Sequence, residues 1–251
     1  MMMTRMKVTP LRRIRGATTV ELVYMLPVFF ILTFAVIEAA FVFRMRSTLN
    51  VASFHAARTG AMHNAMLAPI ERKLAEGMMP LYMKGSSDQA AYARAQASSL
   101  QQMTTLKAVR PPVVVISPTR SAFEAFSETR RMAIQSESTL RDRRAIPNDN
   151  LMYRDPRLKS VTIDGQQRPM NVQDANLLKI STYWCYRLKT PALDRIFNRI
   201  VSGISGTSGS VEQTACNQVA AANGGGYYLA VTSQSIVRMQ SDVVYDGANL
   251  N

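Results

Sequence analysis

The residues best suited to chemistry are few, and their spacing fits neither a metal site nor an active site. His55 and His63 are eight positions apart, whereas two histidines that grip one metal from a helix are four apart. Cys185 and Cys216 are 31 positions apart, which matches no structural zinc pattern. The chain contains no glycine-rich phosphate loop and no nucleophile elbow. The sequence therefore predicts no enzyme and no cofactor.

Oxygen-bearing side chains cluster at Asn148, Asp149, Asn150 and Asp155. These ligands suit calcium, but the run lacks the loop glycine and the terminal glutamate of an EF-hand. We interpret it as a turn. The basic side chains around it, Arg141–Arg144, Arg154, Arg157 and Lys159, are interleaved with acids and indicate a solvated surface.

The whole chain is basic, with a formal net charge of +13. Five of these charges lie in residues 1–16, so removal of that segment would leave 25 basic and 17 acidic side chains, or +8. A basic exterior attracts anions nonspecifically. Because no zinc-finger spacing and no aromatic-and-basic RNA signature accompanies the charge, we expect no specific nucleic-acid partner.

An apolar run, Val20–Phe43, is interrupted only by Glu21, Pro27 and Glu38 among acids and prolines. The part Leu22–Phe43 is long enough to span about 30 Å of hydrocarbon as a helix. It exceeds the roughly 7–15 apolar residues of a secretory signal, and no good Ala-x-Ala site follows it. We therefore expect the segment to be retained.

The charges that flank the run indicate its orientation. Five cations precede it, whereas Arg44 and Arg46 follow closely. The positive-inside bias places the N-terminus in the cytoplasm and the rest of the chain outside. Cys185 and Cys216 would then face an oxidising periplasm, where a disulfide would close a loop of about 30 residues and stabilise the fold by about 3–4 kcal/mol. Two free thiols are the alternative.

The start of the run carries a recognisable pattern. Gly16, the short polar step Ala17–Val20, and Glu21 resemble a prepilin cleavage site. Together with Pro27, Glu38 and the small-residue stretch Ala56–Ala61, they resemble TadE-like minor pilins (pseudopilins) of the Tad/Flp type IV pilus system. Leu22 follows Glu21 where major Flp pilins, which are much shorter, place tyrosine, and this favours a minor component. Three later stretches resemble longer members: Ile146–Leu151, Gln173–Lys179 and Tyr183–Leu188.

The resemblance implies a processing step and a set of partners. A prepilin peptidase would cut after Gly16, so that the mature chain begins at Ala17. The product would be a structural protein in the priming complex or tip of a pilus, supporting adhesion and biofilm formation. Its partners would be the major pilin, other minor pilins and the inner-membrane assembly platform. The competing interpretation is an uncleaved single-pass inner-membrane protein with a periplasmic binding domain.

Three residues of the run have candidate assembly roles. The Glu21 carboxylate could pair with the Ala17 ammonium of a neighbouring subunit, or lie at the headgroup boundary near a helix N-terminus. Pro27 removes a backbone hydrogen bond and predicts a kink, with or without a role in extraction from the bilayer. Glu38 could pair with a partner subunit or reach the outer headgroups.

The pattern of elements predicts an α+β fold: a long N-terminal transmembrane helix followed by a small pilin-like domain with helices and an antiparallel sheet. We expect a leader over residues 1–16, a transmembrane and assembly helix over 17–66, and a periplasmic domain over 67–251. Residues 178–188 alternate as a strand, and residues 193–201 carry a helical stripe. The polar stretch from about 128 to 157 predicts irregular structure. Small residues after the span could pack against the domain or against other pilins.

Overall fold

A computed structural model describes residues 17–83, 85, 88–134, 137, 139–163, 165–189 and 210–250. Helix α1 runs from Ala17 to Met62 without interruption and contains Pro27. It ends four residues before the predicted limit, because Asn64 and Ala65 turn the chain with positive φ angles of 57° and 60°. The Asn64 amide side chain donates to the carbonyl of Asp242, which ties this turn to the far end of the chain.

Two helices and a short connection follow the turn. Helix α2 spans Leu67–Met78, a single 3-10 turn covers Met79–Leu81, and helix α3 spans Gln89–Val109. The α3 cap is Asp88, whose side chain accepts from the backbone N–H of Ala91. Satisfying an otherwise unpaired donor in this way stabilises the first turn of a helix.

The central sheet has three antiparallel strands in the order β1-β6-β7. They are β1 at Val113–Ser117, β6 at Leu177–Arg187 and β7 at Tyr228–Arg238. The alternating residues of β6 predict this strand, and the side chains of its even-numbered residues from Leu178 to Tyr186 are all buried. The predicted α+β class with antiparallel pairing is confirmed.

Smaller elements surround the central sheet. A second sheet has the order β2-β3-β8, with strands at Glu128–Met132, Arg141–Ile146 and Val243–Val244. A hairpin joins β4 at Lys159–Ile163 to β5 at Gln166–Met170. The helices are α4 at Arg120–Phe126, α5 at Val172–Ala175 and α6 at Val211–Ala222.

Helix α1 lies along β6 and runs antiparallel to it. Glu38 interacts with Tyr186, Ser53 hydrogen-bonds Thr182, and Gly60 contacts Leu178. Residue numbers along α1 therefore increase in the direction in which they decrease along β6. Helix α6 packs on the opposite face of the sheet and α2 packs on α1. The core is thus built around the second half of α1.

Two glycines set how closely α1 and α2 approach. A Cβ added at Gly77 of α2 would lie 2.6 Å from the Cβ and 2.9 Å from the Cα of Ala52. A Cβ added at Gly60 of α1 would lie 2.6 Å from the Cδ1 of Ile70. The sequence left open whether the small residues of this part of α1 pack against the domain or against other pilins. In the structure they pack against the domain of the same subunit. Buried among them are Ala52, Ser53, Ala56, Ala57 and Ala61.

The fold differs from the sequence-based prediction in two places. The stretch predicted to be irregular, residues 128–157, contains β2 and β3, which pair over their whole length. Helix α6, which carries Cys216, was not predicted. The predicted helical stripe over residues 193–201 lies outside the described residues.

Candidate functional site at the assembly helix

The first half of α1 is exposed and apolar. Between Glu21 and Ile37 every side chain is exposed except Thr33 and Ala35, which are half-buried. Within the described part of the chain, α1 is the one helix long and apolar enough to cross a membrane. Apolar side chains with no covering partner in the subunit indicate a lipid or protein surface.

Glu21 carries the one charge of this exposed stretch. Its side chain is exposed and lies near the start of α1, one helical turn after Ala17. A carboxylate among exposed apolar side chains is costly in hydrocarbon unless it finds a partner outside the subunit or lies at the headgroups. The geometry therefore leaves both interpretations of Glu21 open.

The predicted processing residues lie at the edge of the described chain. Gly16 falls outside the described residues, and Ala17 is the first residue of α1. Pro27 lies in the exposed part of the helix, where it cannot donate to the carbonyl of Val23. Nothing in the structure tests cleavage or the role of Pro27, and both remain predictions.

Glu38 lies elsewhere than the sequence suggests. Its side chain is fully buried, and its Oε1 accepts from the backbone N–H of Lys189 at 3.4 Å. It also faces the phenol of Tyr186, whose pKa is raised by burial and by the adjacent carboxylate. Within the subunit, Glu38 therefore joins α1 to the end of β6.

Because Glu38 is buried, the exposed stretch of α1 ends earlier than the predicted span Leu22–Phe43. Phe41 and Val42, which we assigned to the span, pack partly on the core, and Met45 is fully buried. The exposed stretch of α1, residues 21–37, is about 26 Å long at 1.5 Å per residue, slightly shorter than the roughly 30 Å hydrocarbon core of a bilayer. The core therefore begins to cover one face of the helix at Glu38, inside the predicted span, whereas Phe43 remains 75% exposed.

The predicted disulfide is confirmed. Cys185 of β6 and Cys216 of α6 are bonded, with their Cα atoms 5.4 Å apart. Both cysteines are buried in the core. The bond holds α6 against the face of the sheet that lies opposite α1. Such a cross-link stabilises the fold mainly by constraining the unfolded chain.

The remaining candidates have structural surroundings. The His63 ring lies 2.8 Å from the carbonyl of Thr59. Asp149 accepts hydrogen bonds from Arg130 and Arg154, which lower the pKa of its carboxyl to about 2, and Asn150 adopts a positive φ of 49° in the predicted turn. Within the described part of the chain, no group of three or more His, Cys, Asp or Glu side chains is placed to hold a metal ion.

Comparison with known proteins gives one finding. Residues 16–58 match the family model described as TadE-like protein. The search of curated proteins and the search of solved structures yielded no match. The matched segment begins at Gly16 and covers the exposed half of α1 together with most of its packed half. The resemblance to TadE-like proteins is thus confirmed for residues 16–58, the segment that carries Glu21, Pro27 and Glu38.

Proposed function

We propose that the chain is a minor pilin, or pseudopilin, that acts structurally in the priming complex or tip of a Tad/Flp-type pilus. The observation that carries the proposal is the TadE-like match over residues 16–58, which includes the exposed apolar stretch of α1 from residue 21 to residue 37. Such a helix needs a bilayer before assembly and can pack against other helices afterwards. In this role the protein is no enzyme and supports adhesion and biofilm formation.

The proposed cycle follows from the two halves of α1. The chain inserts in the inner membrane with its N-terminus in the cytoplasm and the domain in the periplasm. A prepilin peptidase cuts after Gly16 and creates an ammonium group at Ala17. In the assembled fibre, the Glu21 carboxylate of one subunit pairs with the Ala17 ammonium of its neighbour, which neutralises both charges in an apolar setting and fixes the axial register of the helices.

The packed face of the second half of α1 supports these separate roles for the two halves. Its small residues are buried by the domain of the same subunit, so they are not available for contacts between helices of different subunits. Contacts with the major pilin, other minor pilins and the assembly platform would therefore use the exposed residues 21–37 and the outer face of the domain.

The test combines processing and assembly. N-terminal sequencing of the membrane-extracted protein is expected to begin at Ala17. A Glu21→Ala variant is expected to insert normally but to be missing from sheared pili, while Thr33→Ala, a change in the same exposed stretch, serves as the matched control. Recovery of a chain that keeps its first sixteen residues would instead support the uncleaved membrane protein with a binding domain.

A further inference from the structure

Three basic side chains lie together where α1 enters the domain. Arg44 projects from α1, Arg187 ends β6, and Lys189 follows two residues later; all three are exposed. They line one cavity of about 450 Å³. We call these three residues the basic collar.

The basic collar lies at the level of the lipid headgroups. The exposed stretch of α1 ends at Ile37, and Arg44 is seven residues further, about 10 Å along the axis. Because Cα–Cβ bonds in a helix tilt toward its N-terminus, the Arg44 side chain leans back toward the membrane. The headgroup region adds about 5–8 Å to each side of the hydrocarbon core, so a guanidinium on a flexible stem can reach it.

Among the residues that the structure describes, the basic collar has no acidic partner in an ion pair. None of the ion pairs formed within the described part of the chain includes Arg44, Arg187 or Lys189. The neighbouring acid Glu38 is buried and accepts from the backbone N–H of Lys189. Elsewhere the domain pairs its arginines readily, for example Arg130 and Arg154 with Asp149.

Aromatic side chains complete the cavity wall. Phe41 lies beneath the Lys189 ammonium, which is 5.0 Å from the ring centroid. Tyr82 and Trp184 also line the cavity, and the Trp184 indole N–H donates to the Tyr82 hydroxyl at 3.0 Å. Aromatic rings and basic side chains at one level are the composition that membrane–water interfaces favour.

We propose that the basic collar binds the headgroup of an anionic phospholipid in the leaflet that faces the domain. Arg44, Arg187 and Lys189 supply charge and hydrogen-bond donors to the phosphate, while Phe41 in the cavity wall packs against the glycerol and the start of the acyl chains. The basic flank on this side, which works against the positive-inside bias, then has a function of its own. The proposal does not depend on assembly into a pilus.

The single tryptophan of the chain provides the readout. The full chain, purified in a neutral detergent, is titrated with dioleoylphosphatidylglycerol, dioleoylphosphatidylcholine or inorganic phosphate while Trp184 emission is recorded. Native mass spectrometry of the same samples counts retained lipid. We expect saturable binding of the phosphatidylglycerol and little binding of the other two.

Charge variants locate the site. The triple change Arg44→Gln, Arg187→Gln and Lys189→Gln is expected to weaken phosphatidylglycerol binding by roughly a hundredfold, because each cation near an anionic surface contributes about fivefold. The control triple, Arg94→Gln, Arg131→Gln and Arg238→Gln, removes the same charge from exposed positions outside the cavity and is expected to bind normally. Arg44→Gln alone, a change at an exposed position of α1, is expected to weaken binding severalfold if the triple variant does not fold.

Three results would overturn the proposal. They are equal retention of phosphatidylcholine and phosphatidylglycerol, equal weakening by the two triple variants, and a response to inorganic phosphate that matches the response to lipid. The last would indicate a site for a free anion. Because each readout uses the purified chain, failure here is separate from failure of the pilus proposal, which processing and sheared pili test.

Discussion

The two halves of helix α1 belong to one continuous helix but have opposite surroundings. From residue 21 to residue 37 its apolar side chains are exposed, and from Glu38 to Met62 one of its faces is built into the core. Each half contains one acid at its start: Glu21 is exposed, whereas Glu38 is buried and hydrogen-bonded. Hydropathy alone therefore does not show which apolar side chains of α1 are buried in the core of the subunit and which are exposed. The way in which the domain packs on the helix determines this.

The largest effect is expected when one leucine in each half of α1 is replaced by alanine, which tests the comparison directly. Leu49 is fully buried, whereas Leu32 is 61% exposed. Leu49→Ala is expected to lower the free energy of unfolding by about 2–5 kcal/mol, because it leaves a cavity in the core. Leu32→Ala is expected to change it by less than about 0.5 kcal/mol. Denaturant unfolding in detergent, followed by Trp184 emission, measures both, and equal losses would contradict the division at Glu38.

A smaller effect is expected where α1 meets α2. Gly77→Ala should cost about 1–3 kcal/mol, because the new methyl group meets the backbone of Ala52. Gly60→Ala should cost less, since its methyl group meets the end of the Ile70 side chain, which can shift. Thermal unfolding of the two variants compares them directly. A larger loss at Gly60 would show that the approach of the two helices is set elsewhere.

The two acids should respond differently to removal. Glu38→Ala leaves the Lys189 N–H without its acceptor and is expected to cost about 1–3 kcal/mol. Glu21→Ala is expected to leave the stability of the isolated subunit within about 0.5 kcal/mol, although it should prevent assembly. Denaturant unfolding of the two variants, followed by Trp184 emission, measures both changes in the free energy of unfolding. A clear loss of subunit stability in Glu21→Ala would place that carboxylate in a structural role.

The smallest expected effect is a shift in the titration of Tyr186. Burial and the Glu38 carboxylate raise the pKa of its phenol, so its contribution to stability is present below about pH 10 and is lost as the pH rises above the ordinary pKa of tyrosine. Glu38→Gln should lower this pKa while leaving it above the ordinary value, because burial remains. Absorbance titration near 295 nm, with Tyr186→Phe to identify the transition, measures the shift. An unchanged titration would separate Tyr186 from Glu38.

Some elements could be predicted from the sequence because each has one clear local pattern, such as alternating residues or a turn glycine. Strand β6 alternates buried residues on the face toward α1, and the turn between β4 and β5 contains Gly165 at a positive φ of 75°. The disulfide was predicted from the orientation that the charges flanking the apolar run favour. In each case local residues and the final packing favour the same structure.

Other elements depend on contacts that no local pattern reveals. Strand β2 is mostly polar and is held by pairing with β3 and by ion pairs such as Arg130 with Asp149, so no apolar alternation marks it. The burial of Glu38 depends on β6, nearly 150 residues away along the chain. Helix α6 did have a signal that could have found it: Ser210 caps it by accepting from the N–H of Gln213, the spacing of a capping box.

The unbroken path of α1 has a mechanical consequence. Since one continuous helix serves as both tether and core element, the chain has no flexible joint between Ile37 and the domain. Traction on the domain is therefore delivered straight along the helix axis to the lipid-facing residues. Moving α1 further into a bilayer would remove Glu38, Met45 and Leu49 from the core in which they are buried. The domain therefore also limits how deeply the helix can insert.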